Sequence, residues 1–194
     1  MGFTCNRYLF SDTDTPDVDN LFAKIGSGAP HLCFGGHTDV VPVGDENAWN
    51  SNPFEATEKN GKLYGRGASD MKSAIAAFVS AVREYLRNNE MKGTISLLIT
   101  NDEEGPAING TRKVLEEIYK NGEKIDSCLV GEPTCPSNLG EMIKIGRRGS
   151  MTTTIKVSGK QGHVAYPEWT LNPINPLTSI LNTCLLYTSD AADD

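Results

Sequence analysis

Histidine is scarce in this sequence, and cysteine is not arranged for metal binding. Three histidines, His31, His37 and His163, occur in 194 residues. The five cysteines, Cys5, Cys33, Cys128, Cys135 and Cys184, include no C-x₂-C pair, and their number is odd. That spacing excludes a zinc ribbon and argues against a disulfide framework; reduced thiols fit better. Positive charge is in deficit too, with 18 Lys and Arg against 25 Asp and Glu and a formal charge of −7. A nucleic-acid or anionic-membrane binder would need a basic face, so neither partner is expected. Long apolar runs are missing: the longest, Ala74 to Val79, is far too short to span a bilayer. The first residues hold no apolar stretch of signal-peptide type, so a cytoplasmic protein is expected. Any metal site must therefore lean on carboxylates.

What is present alternates between strands and helices. Asn20–Ile25 and His31–Phe34 are short apolar runs bounded by Gly and Pro and read as strands. Asp45 to Glu58 reads as an ordered polar loop, and Lys62 to Gly65 as a short extended piece. Met71, Ile75, Phe78, Val79, Val82 and Leu86 recur at helical spacing, with Ser69 or Asp70 as the cap and Asn88-Asn89 as the end. Thr94–Thr100 is a β-branched strand. Thr111–Lys120 predicts a helix with Val114, Leu115, Ile118 and Tyr119 inward and Gly122 as its stop. Ser127–Val130 is another strand. This order implies an α/β fold with an at least partly parallel sheet.

The texture changes after Gly146. Ser150–Ser158 alternates like a half-solvated antiparallel strand, and Pro176–Leu181 starts a helix. A domain boundary is expected near Gly146–Gly149. The last ten residues, Leu185 to Asp194, continue neither period and read as a non-native tail.

Candidate chemistry collects where strands end, which is where open α/β sheets bind ligands. His37 and Asp39 lie two apart in an extended segment and face one side. Neutral imidazole suits zinc, and a nearby carboxylate can hold its other N–H. Taken alone, a turn is the better reading of this pair. Asp70 begins the long helix; a lone Asp there is more often an N-cap, although it could also bridge two cations. Asp102, Glu103 and Glu104 are three adjacent carboxylates past the strongest strand. Their repulsion must be offset by solvent, a cation or protonation. Glu132 again follows a strand. One His with several carboxylates suits zinc, cobalt or manganese.

These motifs, in this order, resemble the co-catalytic di-zinc aminoacylase/carboxypeptidase family. The matching runs are Gly36-His-Thr-Asp-Val-Val-Pro, Gly65-Arg-Gly-Ala-Ser-Asp-Met-Lys, Asp102-Glu-Glu-Gly-Pro-Ala-Ile-Asn-Gly-Thr, Val130-Gly-Glu-Pro-Thr, Gly146-Arg-Arg-Gly-Ser and Gly162-His-Val-Ala-Tyr-Pro. They span about Gly2 to Leu181. The resemblance implies a partial zinc-peptidase-like catalytic domain over 1–147, with a mixed, largely parallel sheet and flanking helices. The start of an α+β lid and dimerisation domain would occupy 148–184.

The resemblance also implies roles. His37 and Glu132 would hold one divalent ion, Asp70 would bridge two, and Glu104 would hold the second. Zinc is expected, with cobalt or manganese possible. Asp39 would orient His37. Glu103 would be the general base, taking a proton from the attacking water and returning it to the leaving amine. Arg147 and Arg148, with Ser150, would contact substrate carboxylates, although an interdomain salt bridge explains Arg148 equally well; His163 would reach the partner subunit's active site and help hold the oxyanion. A cis Asp70-Met71 peptide is expected. The implied reaction is removal of succinate from N-succinyl-LL-2,6-diaminopimelate, an anionic N-acyl amino acid, by a homodimer. Deacetylation of N-acetylornithine, dipeptide hydrolysis and a non-catalytic binding relative are the alternatives. The family also carries a C-terminal His ligand. No His follows His163, so this chain as given is expected to be truncated at both ends and inactive.

Overall fold

The computed structural model describes residues 1–146, 149 and 152–190. It divides into two compact units, Met1–Ile143 and Lys144–Asp194.

In the first unit the strands are β1 (Thr4–Asp12), β2 (Thr15–Ser27) and β3 (His31–His37), followed by a short hairpin of β4 (Thr57–Lys59) and β5 (Lys62–Tyr64). Helix α1 (Ser73–Asn88), β6 (Gly93–Thr100), α2 (Thr111–Lys120) and β7 (Ser127–Val130) complete it. Five strands form one mixed sheet in the order β1-β2-β6-β3-β7. β3 pairs in parallel with β6 and β7, while β1–β2 and β2–β6 are antiparallel. The parallel half is the one the alternating pattern implies.

β1 was not legible from pattern. Its sequence, Thr-Cys-Asn-Arg-Tyr-Leu-Phe-Ser-Asp, does not alternate cleanly, and none of its residues is fully buried. Its pairing to β2 and a tight turn with Asp14 at φ 61° hold it in place. The β4–β5 hairpin did have a signal: Asn60-Gly61 adopts positive φ at both positions, the two-residue turn that matches strand twist.

Alternation along the strands sends successive side chains to opposite faces. Phe22, Cys33 and Leu98 pack under Val114 and Ile118 of α2. Phe34, Leu97 and Ile99 pack on the other face with Met71, Ile75, Phe78 and Val79 from α1 and its approach. Tyr119 does not join the inward stripe; it is 51% exposed. It lies about 100° around the helix from Ile118, outside the arc that α2 buries.

The approach to α1 departs from the expected cap. Lys72 precedes the first helical residue and no side chain caps it. Asp70 is extended (φ −115°, ψ 103°), and the Asp70-Met71 peptide is cis, as is Ala29-Pro30. Gly36 permits the close contact here: a Cβ on it would lie 2.9 Å from Met71 Cε. Gly131 does the same at the end of β7, where a Cβ would meet Phe34 Cζ at 2.5 Å and Ala74 Cβ at 2.9 Å. Both glycines immediately precede a candidate ligand, His37 and Glu132.

Three buried polar residues, His31, Asp102 and Asn109, are structural. His31 Nδ1 donates to the Lys124 carbonyl at 2.7 Å, leaving Nε2 to accept from Ser96 Oγ at 2.8 Å. Asp102 is 5% exposed, and its carboxylate accepts from the amides of Ala107 (3.1 Å), Ile108 (2.8 Å) and Asn109 (2.8 Å). Asn109, itself fully buried, reaches Thr15 Oγ1 and the Pro16 carbonyl, tying this loop to the start of β2. Asp102→Ala leaves three amides without their acceptor and is expected to cost about 3 kcal/mol. Urea denaturation measures it; a loss under about 0.5 kcal/mol, the range of an ordinary surface change, would contradict the role.

In the second unit, α3 spans Ile174–Asp190, with Asn172 Oδ1 accepting from the Ile174 amide at 3.0 Å. The backbone helix thus runs past Leu181 into the stretch that reads as a tail, since neither Gly nor Pro interrupts 177–190. The strand expected over Ser150–Ser158 is not formed at 152–158; Ser150 and Met151 lie outside the described residues. An alternating segment becomes a strand only beside a partner. Among the described residues of this unit the strand-like pairing is a single antiparallel bridge, Lys160 to Leu171. No helix among the described residues is long and apolar enough to cross a membrane.

Candidate metal centre

Four element ends of the first unit bring side chains together: the end of β3, the turn before α1, the loop after β6 and the loop after β7. His37 is the hub. It ends β3, is 1% exposed, and its amide donates to Met71 Sδ at 3.3 Å.

The ring's orientation follows from its partners. Nδ1 lies 3.0 Å from the Asp39 backbone carbonyl, which only accepts, so Nδ1 carries the proton. Nε2 then directs its lone pair at Asp70 Oδ1, 3.0 Å away, and Glu132 Oε1, 3.7 Å away. A lone pair facing carboxylate oxygens is repulsive unless a positive charge sits between them. A proton or a divalent cation answers that need. Burial pulls the His37 pKa down, but the Asp39 carbonyl and the Glu132, Asp39 and Asp70 carboxylates outweigh it, and the balance is upward. Burial and the Asp70 carboxylate raise Glu132; His37 opposes them and Glu103 adds to them. Burial is the larger cause at Glu132, and the neighbouring carboxylates push both groups in the same direction.

Among the described residues, two groups place ligand atoms within 4.8 Å of one another: His37, Asp70 and Glu132, and His37, Glu103 and Glu104. The first joins the three residues expected to hold one ion. The second joins Glu104 with the expected base. One imidazole nitrogen among carboxylate oxygens fits zinc and other borderline divalent ions. The buried Asp39 Oδ1 has no hydrogen-bond partner and stands 3.5 Å from Nδ1, where it favours positive charge on the ring.

Asp39 does more than the sequence suggested. Its backbone carbonyl, rather than its carboxylate, takes the ring proton. The carboxylate's Oδ2 instead accepts from the amides of Glu103 (2.9 Å) and Glu104 (2.8 Å). One residue therefore fixes both the imidazole and the loop bearing the two glutamates. The repulsion expected among Asp102, Glu103 and Glu104 is relieved by division: Asp102 turns into its amide cradle, while the other two face His37. The sequence named Asp102 but not its role in holding the loop, and it did not point to Asn109, because a carboxylate bound to amides a few residues ahead looks, in one dimension, like any acidic run.

Asp70 is placed against its commoner reading. It serves no helix cap, and its half-exposed carboxylate faces Nε2. His163 lies in the second unit, exposed, with its Nδ1 accepting from the Ala165 amide at 3.1 Å and its ring beside Tyr166. Arg147, Arg148 and Ser150 lie outside the described residues.

The model of the family described as Peptidase family M20/M25/M40 matches residues 33–187. A succinyl-diaminopimelate desuccinylase of Parvibaculum lavamentivorans is 55% identical over 194 residues, all of this chain and 49% of the relative. One from Rhodospirillum centenum is 56% identical over 183 residues, 94% of this chain and 47% of the relative. The chain thus spans about half the length of the curated relatives it matches. Among solved structures, human carnosine dipeptidase 1 aligns with a TM-score of 0.58 at 26% identity, over 66% of this chain and 29% of that one. An M20 family metallo-carboxypeptidase of Sulfolobus solfataricus aligns at 0.53 and 31% identity, over 64% and 28%. With a family match that begins in β3 and takes in every candidate ligand, the chain belongs to peptidase family M20/M25/M40.

Proposed function

We propose that this site serves a metal-dependent amide hydrolase that removes succinate from N-succinyl-LL-2,6-diaminopimelate, releasing LL-2,6-diaminopimelate. The observation that carries the reading is the convergence of His37, Asp70 and Glu132 in a chain 55% identical to a desuccinylase. Two divalent ions, zinc by preference and cobalt or manganese by the same donor chemistry, are proposed. His37 and Glu132 would hold one, Glu104 the other, and Asp70 both. When bound, such ions polarise the amide carbonyl and lower the pKa of water.

The chain's own groups supply the rest. Asp39 holds the Nδ1 proton of His37, leaving Nε2 free to ligate. Through the Glu103 and Glu104 amides it also sets the loop. Glu103 accepts a proton from the attacking water and delivers it to the leaving amine. Arg147 and Ser150 are proposed to receive the substrate's carboxylates, with Arg suited to forked contacts, and His163 to reach the partner subunit's active site and help hold the oxyanion. The reading includes a homodimer and a cytoplasmic location.

The test is a comparison of substrates, using a metal-loaded protein that continues this sequence to the relatives' length. Succinate release from N-succinyl-LL-2,6-diaminopimelate is expected to exceed acetate release from N-acetylornithine by at least ~100-fold in kcat/KM. A site built for a carboxylate rejects the analogue lacking it by such factors. Preference for the acetyl substrate would replace this reading with a deacetylase.

A further inference from the structure

Two cysteines face each other across the sheet. Cys33 in β3 is the register partner of Cys128 in β7, in a parallel pairing. Register partners in neighbouring strands project to the same face, and strands lie ~4.8 Å apart. That spacing falls inside the window of about 4.4–6.8 Å between Cα atoms that a disulfide needs. Gly35, two residues past Cys33 and on the same face, sharpens the placement: a Cβ built there would lie 3.6 Å from Cys128 Sγ. The Cys128 sulfur therefore leans over β3.

The two thiols differ in environment. Cys33 is 1% exposed and packs in the core beneath α2. Burial pushes its pKa up to about 11, with Ser96 pulling down and Cys128 adding to the rise. Cys128 is exposed, on the edge strand. The accessible thiol is thus the one that meets a reagent, and the buried one is positioned to resolve the product. Each cysteine stands four residues before a member of the candidate metal centre, Cys33 before His37 and Cys128 before Glu132.

We propose that Cys33 and Cys128 form a reversible oxidation site, closed to a cross-strand disulfide by low-molecular-weight disulfides. The Cys128 thiolate attacks one sulfur of the reagent. The reagent's S–S bond breaks, and one thiolate leaves and takes up a proton. The Cys33 sulfur attacks Cys128 Sγ in the mixed disulfide, and the second reagent thiolate leaves and takes up the Cys33 proton. Two protein thiols are oxidised to one S–S bond, and one reagent disulfide is reduced to two thiols. The bridge fastens the edge strand that leads to Glu132 onto the strand that ends at His37.

The experiment treats the 194-residue chain with oxidised glutathione, quenches in acid, and maps its peptides by mass spectrometry. The expected product joins the Cys33 and Cys128 peptides with a mass lower by two hydrogens, and dithiothreitol reverses it. Cys33→Ser is expected to trap a glutathione adduct on Cys128. Because Cys33 is a core residue and that variant could misfold, the map of the unsubstituted chain decides the matter by itself. A stable adduct on Cys128 with Cys33 still free would overturn the proposal. So would a Cys128 that stays unreacted while exposed Cys5 takes the adduct, or a bridge from Cys128 to any cysteine other than Cys33.

Discussion

His37→Ala is expected to weaken binding of zinc or cobalt to this chain by at least about a hundredfold. The loss of a mere supporting partner of a ligand already costs 10- to 100-fold, and His37 is common to both groups of candidate ligands. Its removal leaves only carboxylates, which hold borderline ions less selectively than a mixed nitrogen and oxygen set. Isothermal titration of the chain with each metal reads the change; an affinity within threefold of the original would remove His37 from the centre. The same titration has a pH signature. A metal needs His37 neutral and Glu132 ionised, and both groups hold their protons more tightly here than in free solution. Affinity should therefore climb with pH and level off only above the raised pKa of His37. In the metal-free chain the sign is opposite. A raised pKa stabilises the fold while the proton is bound. That contribution is complete below the unfolded value and is lost as pH rises through the folded one. His37→Ala should flatten the neutral part of that profile.

Glu103→Gln should reduce kcat by about 10²- to 10⁴-fold, the usual contribution of a positioned general base. The amide side chain keeps the size of the carboxylate but cannot accept a proton. The backbone N–H of residue 103 still reaches Asp39 Oδ2, so the loop should keep its path. Metal affinity should fall far less than in His37→Ala, since His37, Asp70 and Glu132 form a group without Glu103. Hydrolysis of N-succinyl-LL-2,6-diaminopimelate, measured in a protein of the relatives' length with metal content recorded alongside, separates the two effects. Turnover within threefold of the unsubstituted enzyme would assign the base elsewhere.

Much of the first unit was legible because its signals are local. The stripe of Met71, Ile75, Phe78 and Val79 is a helical period, and those residues do pack on one sheet face. The β-branched run of Thr94–Thr100 is a central strand, as its composition indicates. β1 was not legible, because a strand with no fully buried residue carries little period-two pattern. Residues 152–158 failed in the opposite sense: the alternation is present, but no strand among the described residues receives it. Tyr119 shows the limit of counting apolar residues, since the width of the buried arc is set by what the helix packs against.

The candidate site divides along the same line. Chain order alone determined that His37, Asp70, Glu104 and Glu132 stand at element ends, and that a single histidine would have to share the centre with carboxylates. Residue type settles that much, because softness and charge belong to the side chain itself. Only the tertiary structure decided that Asp70 faces His37 rather than capping α1, and that Asp102 belongs to a loop cradle. It also decided that Asp39 binds the glutamate amides through one oxygen while its carbonyl fixes the imidazole. Those outcomes depend on distances between segments far apart in sequence. An acidic side chain satisfies its charge with whichever amide, ring or cation the fold brings within about 3 Å.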